Sequence, residues 1–496
     1  MSAVYDDGRV VLRHGHVLDE LRAMPAESIQ VVCTSPPFWG LRDYQLEPQV
    51  WGGLPSGCAH AWGEDLRRHV GGPTGVTSQM IGRAANAVRD TVADRSVGAF
   101  CPCGAWRGAL GLEPTPELYT AHLVEVFREV RRVLREDGVL FLNLGDCYQS
   151  GSRGAYGLDE HRWEKSELQS KRADRGGSGI PRAPNRLPQV GLKDKDLVGV
   201  PWMVAFALRA DGWYLRAALP WLKRNPMPES TEDRPNVANE YVFLLSKAGT
   251  YYYDHIAVKR RGSSGPSDLR KMQEGRERIG GKHKALDDPL SKASAATNIG
   301  RTRGVGSPNR NWRTADPWFD SLAAILEGGE GLLADPDGQP LAFVVNTEPS
   351  PEPHFAQWPA SLVKPMILAG TSERGCCAQC GAPWERVTGD PVPVEGRGSG
   401  NVARKVAREG ERSRVNTHLG SSFPWSPTVA PTLGWRAGCG HDPQLVEPCL
   451  ILDPFVGAGT TVAVAKELGR RAVGIDLSPA YLTLAEKRLR QGVLAL

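Results

Sequence analysis

The segment that most constrains the fold stands near the end of the 496-residue chain and has the sequence CLILDPFVGAGTTVAVAKELGRRAVGID. Residues 449–452 are predicted to form a short buried strand, followed by a glycine-containing turn over 453–459 and a helix from Thr460 onward. A second strand ends at Asp476, 19 residues after Gly457. This layout is typical of nucleotide-binding sheets, in which glycines allow close backbone approach and the later carboxylate accepts hydrogen bonds from ribose hydroxyls.

Much of the remaining chain alternates amphipathic helices with short apolar strands. TPELYTAHLVEVFREVRRVLRED has the apolar spacing of a helix, predicted to end at Gly138 and to lead into the strand VLFLNLGD. LVGVPWMVAFALRADG repeats this pattern and is predicted to end at Gly212, before the strand WYLRAALPWLK. NEYVFLLSK and YYYD are predicted to form a further strand pair. The alternation indicates an α/β fold, with a mostly parallel sheet covered by helices on both faces.

The segment VVCTSPPFWGLRDY, residues 31–44, follows a buried-type strand with two successive prolines. Neither Pro36 nor Pro37 has a backbone N–H, so the pair cannot continue a sheet ladder. The chain must therefore leave the strand abruptly and form a stiff loop with aromatic residues at its tip. Taken alone, such a loop could be no more than a rigid turn.

These two segments resemble the signature motifs of one enzyme family. DPFVGAGTT resembles the S-adenosylmethionine-binding motif of amino-methylating DNA methyltransferases, and TSPPF resembles their catalytic motif. The catalytic motif comes first and the cofactor motif last, which is the circularly permuted order of the family's β group. EVRRVLREDGVLFLNLGD, WLKRNPMPES, NEYVFLLSKAGTYYYD and HFAQWPASLVKPMILAGTSE resemble further family blocks in the expected order. The chain is identified as a member of this group, and the resemblance implies a Rossmann-like S-adenosylmethionine-dependent methyltransferase sheet.

The resemblance also implies that the two termini join one sheet, with the TSPPF loop beside the sulfonium of the cofactor. An exocyclic amino nitrogen is a poor nucleophile because its lone pair is delocalised into the base. Ser35 Oγ and the Pro36 carbonyl would accept its hydrogens and draw the nitrogen towards tetrahedral geometry. Phe38, with Trp39 as a second candidate, would stack on a base turned out of the duplex, and the released proton would pass to water or Asp43. The residues assigned to catalysis are Ser35, Pro36, Pro37 and Phe38.

The resemblance assigns a second group of residues to the cofactor. Within it, Asp476 is expected on the ribose, although it could instead cap the helix that begins in DLSPAY. Thr371 and Ser372, in LAGTSE, are expected at the methionine end. His16 stands where the family often has an aspartate that contacts the adenine amino group, so that contact stays open, with Asp19 as a substitute. The cofactor residues are Asp453, Phe455, Gly457, Gly459, Thr460, Asp476, Thr371 and Ser372.

Nothing in the sequence predicts export or membrane insertion. The start, MSAVYDDGRVVLRHG, lacks the basic flank and apolar core of a signal peptide, and no apolar run approaches about 18 residues. We therefore expect a cytoplasmic protein with no membrane partner. In that compartment the ten cysteines are expected to be thiols or metal ligands rather than disulfides.

The cysteines and histidines form two similar sets, each with three thiols and one imidazole. This is a suitable tetrahedral ligand set for structural zinc, which we expect as a second cofactor serving folding or DNA contact. Reduced, unliganded surface cysteines are the alternative, and the sets could also exchange partners across space. The first set is Cys58, His60, Cys101 and Cys103, and the second is Cys377, Cys380, Cys439 and His441.

Positive charge is concentrated in one part of the chain. Between His255 and Ala315 there are 14 Lys or Arg against 5 Asp or Glu, in a stretch rich in glycine and serine. A solvated loop would have this composition, but so would a segment that binds phosphates. Further loop regions are predicted at 150–196 and 390–432. We predict that 255–345 is the target-recognition region, with arginine and asparagine side chains reading base edges.

The predicted organisation is a methyltransferase domain interrupted by basic and zinc-binding insertions. The successive parts are 1–50 (catalytic motif), 51–110 (insertion with the first zinc set), 111–254 (methyltransferase domain), 255–345 (target recognition), 346–375 (methyltransferase domain), 376–445 (insertion with the second zinc set) and 446–496 (cofactor-binding part).

Within the family, the first residue of the catalytic motif correlates with the target base. Ser-Pro-Pro usually accompanies methylation of cytosine at N4, whereas Asp-Pro-Pro and Asn-Pro-Pro usually accompany methylation of adenine at N6. TSPPF therefore predicts a site-specific cytosine-N4 methyltransferase acting on duplex DNA, the protective half of a restriction-modification pair if a cognate endonuclease accompanies it. An adenine-N6 enzyme is the first alternative. Two further alternatives are less favoured: an RNA or protein amino-methyltransferase, and an inactive zinc-containing DNA-binding protein.

Overall fold

The structure is a computed structural model in which both ends of the chain contribute to one sheet. Most of the predicted target-recognition region (255–345) and much of the predicted loop regions 150–196 and 390–432 lie outside the described residues. The structure describes residues 3–41, 44, 46–53, 58–69, 94–149, 189–223, 233–234, 237–258, 331–334, 340–344, 358–390, 392–393, 428–429 and 431–491.

The strands are numbered in chain order. They are β1 (Ala3–Asp6), β2 (Val10–His14), β3 (Ile29–Thr34), β4 (Gln49–Trp51), β5 (Leu66–His69), β6 (Asp94–Phe100), β7 (Trp106–Gly108), β8 (Leu134–Leu144), β9 (Tyr214–Leu222), β10 (Asn239–Ser246), β11 (Gly331–Ala334), β12 (Pro340–Val344), β13 (Cys376–Cys377), β14 (Glu385–Thr388), β15 (Val392–Pro393), β16 (Thr428–Val429), β17 (Thr432–Arg436), β18 (Val446–Glu447), β19 (Leu450–Asp453) and β20 (Arg471–Asp476).

The helices are numbered in the same way. None of those in the described segments is long and apolar enough to cross a membrane. They are α1 (Val17–Arg22), α2 (Pro116–Val133), α3 (Val200–Ala210), α4 (His255–Val258), α5 (Ala360–Gly370), α6 (Thr460–Glu467) and α7 (Pro479–Arg490).

Ten strands form the main sheet, in the order β1-β2-β20-β19-β3-β8-β10-β9-β12-β11. The five neighbouring strands β2, β20, β19, β3 and β8 are mutually parallel. β10 is antiparallel to both β8 and β9, and each edge strand is antiparallel to its neighbour. The predicted α/β sheet is confirmed, but it is mixed: among the described strands outside the central five, only β12 and β9 pair in parallel. β3 pairs with β19, with Val31 opposite Ile451 and Val32 opposite Leu452, so the two ends of the chain do join one sheet.

Helices cover both faces of this sheet. Because side chains alternate along a strand, Val32 and Leu140 pack beneath α1, α2 and α3, whereas Val31 and Val139 pack beneath α5, α6 and α7. All four of these side chains are fully buried. The result is a three-layer arrangement with an apolar core on each side of the sheet.

Two local predictions were wrong. The predicted stop of α2 at Gly138 lies inside β8: the helix ends at Val133, and Leu134 already pairs with Ile29. The glycine is needed there because a Cβ would lie 2.9 Å from the Gln30 carbonyl oxygen. The segment YYYD, 251–254, is not a strand, since β10 pairs with β8 and β9 instead. α3 ends just before Gly212, as predicted.

Smaller sheets lie at the two ends of the central strands, which we call the carboxyl edge and the amino edge of the main sheet. β4, β7, β6 and β5 form a four-stranded sheet whose first strand approaches the carboxyl ends of the central strands. The two-stranded ribbons β13-β18 and β14-β17 lie near the amino ends, where Gln30 Nε2 donates to the Gly381 carbonyl at 3.2 Å. The two predicted zinc sets therefore belong to different edges.

Candidate active site

The candidate active site lies at the carboxyl ends of β3, β19 and β20, which are neighbouring parallel strands. Loops that leave these ends line one pocket, together with the start of α1 and part of the four-stranded sheet. Open α/β sheets bind their ligands at this edge. The lining includes Ser35 and Pro37 from the catalytic loop; Pro454, Phe455, Gly457, Asp476 and Leu477 from the cofactor segment; and His16, Gln49, Trp51 and Leu110 from the facing wall.

Asp476 ends β20 and is held by backbone donors at both carboxylate oxygens. Gly457 N–H donates to Oδ2 and Ser478 N–H donates to Oδ1, each at 2.8 Å. The N-cap of α7 is Ser478, whose hydroxyl accepts from Tyr481 N–H, so Asp476 fixes the loop without being the helix cap. Burial raises the pKa of Asp476 to about 6. Each oxygen retains a further lone pair that can accept from a ligand hydroxyl.

Asp453 lies beneath the pocket rather than in its lining. Its Oδ1 accepts from Thr34 Oγ1 at 2.7 Å and from Phe455 N–H at 3.1 Å, and its Oδ2 accepts from Thr461 Oγ1 at 2.6 Å. The side chain is buried, and burial raises its pKa to about 6. The carboxyl group therefore joins the end of the catalytic strand to the cofactor turn and to α6, instead of lying among the pocket residues as predicted.

Gly459 and Thr460 also differ from their predicted positions, because they face α7. Gly459 has a φ of +82°, and a Cβ there would lie 2.8 Å from Ala485 Cβ, so glycine permits the close approach of the two helices. Thr460 Oγ1 accepts from Arg488 Nη1 at 2.8 Å. Gly457 and Phe455, by contrast, line the pocket as predicted.

Thr371 and Ser372 were placed at the wrong edge of the sheet. α5 carries the chain back towards the amino ends of the strands, and both residues are buried there. Thr371 Oγ1 accepts from Arg470 Nε at 3.1 Å, just before β20 begins. The Ser372 carbonyl lies 3.9 Å from the sulfur of Cys449, just before β19 begins. Neither residue lines the pocket, because α5 ends at the opposite side of the sheet from the pocket.

Ser35 belongs to a partly buried hydrogen-bond chain that its sequence motif does not indicate. Its Oγ donates to Asn143 Oδ1 at 2.9 Å. Asn143 Nδ2 donates in turn to Glu240 Oε2 at 3.0 Å and to the Tyr241 carbonyl at 3.2 Å, and Lys223 pairs with Glu240. Since the carboxylate and the carbonyl only accept, the Asn143 amide must present its oxygen to Ser35. The available signal was a polar residue near the end of the apolar strand VLFLNLGD.

The residues after Ser35 are fixed by the protein core. The Pro37 carbonyl accepts from the Tyr119 hydroxyl at 2.7 Å. Phe38 is half-buried against Gly145, where a Cβ would lie 2.7 Å from its ring. Trp39 is fully buried and its Nε1 donates to the Glu113 carbonyl at 2.8 Å, so its prediction as a base-stacking residue is wrong.

His16 lines the pocket with its ring centroid 4.7 Å from that of Trp51. Its Nε2 is buried and has no hydrogen-bond partner among the described residues. Burial lowers the pKa of His16, which favours the neutral imidazole and so an available acceptor nitrogen. Asp19, the predicted substitute, is exposed and pairs with Arg22 at 3.7 Å instead. Asp43 lies outside the described residues.

Both cysteine–histidine sets come together with the predicted membership, and they do not exchange partners. In each set the four potential ligand atoms lie within 4.8 Å of one another. The first set lies beside the four-stranded sheet, and the second lies between the ends of the β13-β18 and β14-β17 ribbons.

Comparison with known proteins gives consistent matches. The model of the DNA methylase family N6_N4_Mtase matches residues 29–412 and 448–487. Type II methyltransferase M.XycI of Xanthomonas campestris pv. cyanopsidis is 34% identical over 479 residues, which cover 97% of this chain and 87% of that protein. Type II methyltransferase M.Cfr9I of Citrobacter freundii is 26% identical over 479 residues, with coverages of 97% and 87%.

A solved structure also resembles the chain over most of its length. PvuII DNA methyltransferase (cytosine-N4-specific) is 13% identical, with a TM-score of 0.38 and coverages of 98% of this chain and 88% of that one. The family model spans both the catalytic loop and the cofactor turn, which the structure brings to one pocket. The chain therefore belongs to the N6/N4 DNA methylase family, the S-adenosylmethionine-dependent DNA methyltransferases that modify exocyclic amino groups.

Proposed function

We propose that this methyltransferase methylates the N4 amino group of cytosine within a specific sequence of duplex DNA. The observation that carries the mechanism is the 2.9 Å hydrogen bond from Ser35 Oγ to Asn143 Oδ1. It directs the hydroxyl hydrogen towards Asn143, which does not line the pocket. The lone pairs of Ser35 Oγ are thereby left as acceptors for an amino group in the pocket.

The pocket residues fit S-adenosylmethionine. His16 presents a buried nitrogen with no partner among the described residues, suited to accept from the adenine amino group. The Asp476 carboxylate has lone pairs to spare for the ribose hydroxyls, and Phe455 and Gly457 supply an apolar surface and a close backbone approach. When bound, the cofactor supplies an electrophilic methyl group on a sulfonium.

The catalytic loop prepares the amino nitrogen. Ser35 Oγ accepts one amino hydrogen and the Pro36 carbonyl accepts the other, so that the nitrogen lone pair is withdrawn from conjugation and directed along the methyl-transfer path. The hydrogen bond from the Tyr119 hydroxyl to the Pro37 carbonyl fixes the following peptide and with it the direction of the loop. Phe38 stacks on the extrahelical base. After the transfer the methylated amine has become acidic and gives its proton to water or to Asp43.

Two features support the choice of substrate. The serine of TSPPF favours cytosine-N4 over adenine-N6 by resemblance within the family. The relatives in Xanthomonas campestris and Citrobacter freundii are Type II methyltransferases, which supports a sequence-specific enzyme with a cognate restriction endonuclease as its partner in the cell. Target recognition is assigned to the basic region 255–345.

The test is mass spectrometry of nucleosides from plasmid DNA of cells that express the wild type or Ser35→Ala. We expect N4-methylcytosine with the wild type and at least about a hundredfold less with the variant, because removing a transition-state acceptor costs on the order of this factor. Ser28→Ala is the matched control. Ser28 lies just before the same strand, at its opposite end, and its Oγ donates to the Pro25 carbonyl.

Each other outcome overturns a defined part of the proposal. N6-methyladenine would retain the mechanism but overturn cytosine as the target. Full methylation by Ser35→Ala would overturn the acceptor role. Methylation of RNA or protein without methylated DNA would overturn the substrate class, and failure of purified protein to bind S-adenosylmethionine would identify an inactive DNA-binding protein.

A further inference from the structure

The first cysteine–histidine set has the geometry of a preformed tetrahedron. Cys58 Sγ lies 3.7 Å from Cys101 Sγ, and Cys103 Sγ lies 3.5 Å from His60 Nδ1. His60 has a φ of +39°, an uncommon backbone conformation for a non-glycine residue that recurs where a side chain is held for a function. Four donors from two separate segments of the chain are thus held around one point.

The second set repeats this arrangement on an unrelated part of the chain. Cys377 Sγ lies 3.7 Å from His441 Nδ1. Cys380 supplies a third donor from the same turn as Cys377. Cys439 completes the four donors, all within 4.8 Å of one another.

These distances match the edges of a zinc tetrahedron. Zinc bonds of about 2.3 Å to sulfur and about 2.0–2.1 Å to nitrogen, at tetrahedral angles, place two sulfurs about 3.8 Å apart and a sulfur about 3.6 Å from a nitrogen. A disulfide would require about 2.05 Å between sulfurs. We propose that each set binds one structural zinc ion. Three thiolates and an imidazole favour zinc over the hard cations, and four protein ligands leave no position for a reactive water.

The first site is connected to the wall of the cofactor pocket. The turn between Cys101 and Cys103 leads directly into β7, which pairs with β4 so that Trp106 lies opposite Trp51. Trp51 also lines the pocket, and its Nε1 donates to the Gly108 carbonyl at 3.1 Å. Two of the ligands, Cys101 and Cys103, therefore lie in the turn that joins β6 and β7 of the same small sheet that forms one wall of the pocket.

A column of rings continues this connection into the pocket. Trp106 stacks on His122 with 5.5 Å between centroids, His122 stacks on Trp51 at 5.5 Å, and Trp51 contacts His16 at 4.7 Å. His122 is fixed by Glu113 at 3.0 Å, and both are buried. Because the column is closely packed, loss of the first zinc should shift His16 and weaken cofactor binding; this coupling rests on the proposed cofactor site.

The second site has no such connection among the described residues. Its loop meets the amino ends of the central strands, where Gly381 accepts from Gln30 Nε2 at 3.2 Å and the Cys380 carbonyl accepts from Arg135. Neither the β13-β18 ribbon nor the β14-β17 ribbon contributes a residue to the pocket lining, whereas β4 of the four-stranded sheet contributes Gln49 and Trp51. Loss of this zinc should lower stability and leave the affinity for cofactor unchanged.

The first measurement is the zinc content of wild-type protein purified without chelator. We expect two zinc ions per chain, and one in each of Cys103→Ser and Cys439→Ser. Cys147→Ser is the matched control and should retain two, since this buried cysteine lies outside both sets. Metal-free wild-type protein, or zinc retained in full by both variants, overturns the proposal. If either variant fails to fold, the wild-type stoichiometry still decides the question.

The second measurement is calorimetric titration of S-adenosylmethionine into the same proteins. We expect the Kd of Cys103→Ser to rise by up to about fivefold, the effect of losing the His16 contact, and that of Cys439→Ser to stay within about twofold of wild type; fivefold corresponds to about 1 kcal/mol. Equal Kd values would overturn the coupling but not the zinc sites. Wild-type protein that holds two zinc ions yet binds no cofactor would instead overturn the proposed function.

Discussion

The two edges of the central sheet differ in how their polar groups are used. At the carboxyl edge, Ser35 and His16 face the pocket with acceptor positions that no group in the described part of the chain fills. At the amino edge, Arg386 donates to Asp254, Glu373 and Thr432, and its side chain is only 11% exposed. Saturated polar groups stabilise a fold, whereas unfilled ones in a pocket are available to a ligand. The comparison predicts that substitutions at the amino edge change stability, and that those facing the pocket change chemistry or binding.

The largest expected effect is at the amino edge, in Arg386→Ala. In the wild type, Arg386 Nη2 lies 2.9 Å from Oδ2 of the buried Asp254. Because the substitution leaves this carboxylate without its ion-pair partner, the free energy of unfolding should fall by about 3–5 kcal/mol. Urea denaturation measures this loss. Arg436→Ala, which removes an exposed pair with Glu385 on the same ribbon, should leave the free energy of unfolding nearly unchanged, because solvent screens exposed pairs. Equal losses in the two variants, or a changed Kd for cofactor in folded Arg386→Ala, would remove the contrast between the edges.

The next effect is at the carboxyl edge, in Asn143→Ala. Without its acceptor, the Ser35 hydroxyl can rotate its hydrogen into the pocket, where it opposes the incoming amino group. We expect kcat to fall by about 10- to 100-fold, equivalent to about 1.4–2.7 kcal/mol in the barrier, with the Kd for S-adenosylmethionine within about twofold of wild type. Single-turnover methylation and calorimetry separate the two quantities. A weaker affinity with an unchanged single-turnover rate would show that Asn143 supports the fold of the pocket and does not position Ser35.

A smaller effect is the pH dependence of stability that Asp453 contributes. This residue joins the catalytic strand to the cofactor turn. Its pKa is raised by burial to about 6, so the folded state takes up a proton below that pH while the unfolded carboxyl stays ionised down to its ordinary range. Stability from this group therefore increases as pH falls through 6, by about 1 kcal/mol between pH 7 and pH 5. Between pH 7 and pH 5, the free energy of unfolding of the wild type should therefore rise by this amount relative to that of Asp453→Asn. A constant difference would mean that Asp453 is ionised in the folded protein.

The smallest effect concerns His16 and Asp19, which are close in sequence but face different surroundings. His16→Leu should raise the Kd for S-adenosylmethionine by about fivefold, since it removes one hydrogen bond worth about 1 kcal/mol. Asp19→Ala should leave the Kd unchanged, because that side chain is exposed and directed to Arg22. The reverse result would restore Asp19 as the contact to the adenine amino group.

The sequence by itself determined the features that depend on local pattern. The strand–turn–helix–strand unit around Gly457, the prolines after β3 and the end of α3 before Gly212 follow from neighbouring residues, and the structure has all three. The grouping of the cysteines and histidines into two sets also follows from their spacing, and the four members of each set lie within 4.8 Å of one another in the structure. The family resemblance implied that the two ends of the chain join one sheet, and in the structure β3 pairs with β19.

Only the tertiary structure decided the features that depend on which element lies opposite. Asp453 faces Thr34 and Thr461 instead of the pocket, and Gly459 permits contact with Ala485, because strands and helices distant in sequence meet there. Thr371 lies at the far edge because α5 carries the chain back along the sheet. Asn143 acquires its role only through the neighbouring strand that carries Ser35. A sequence motif specifies local backbone and side-chain chemistry, but the direction of a side chain is set by the partners that fold against it.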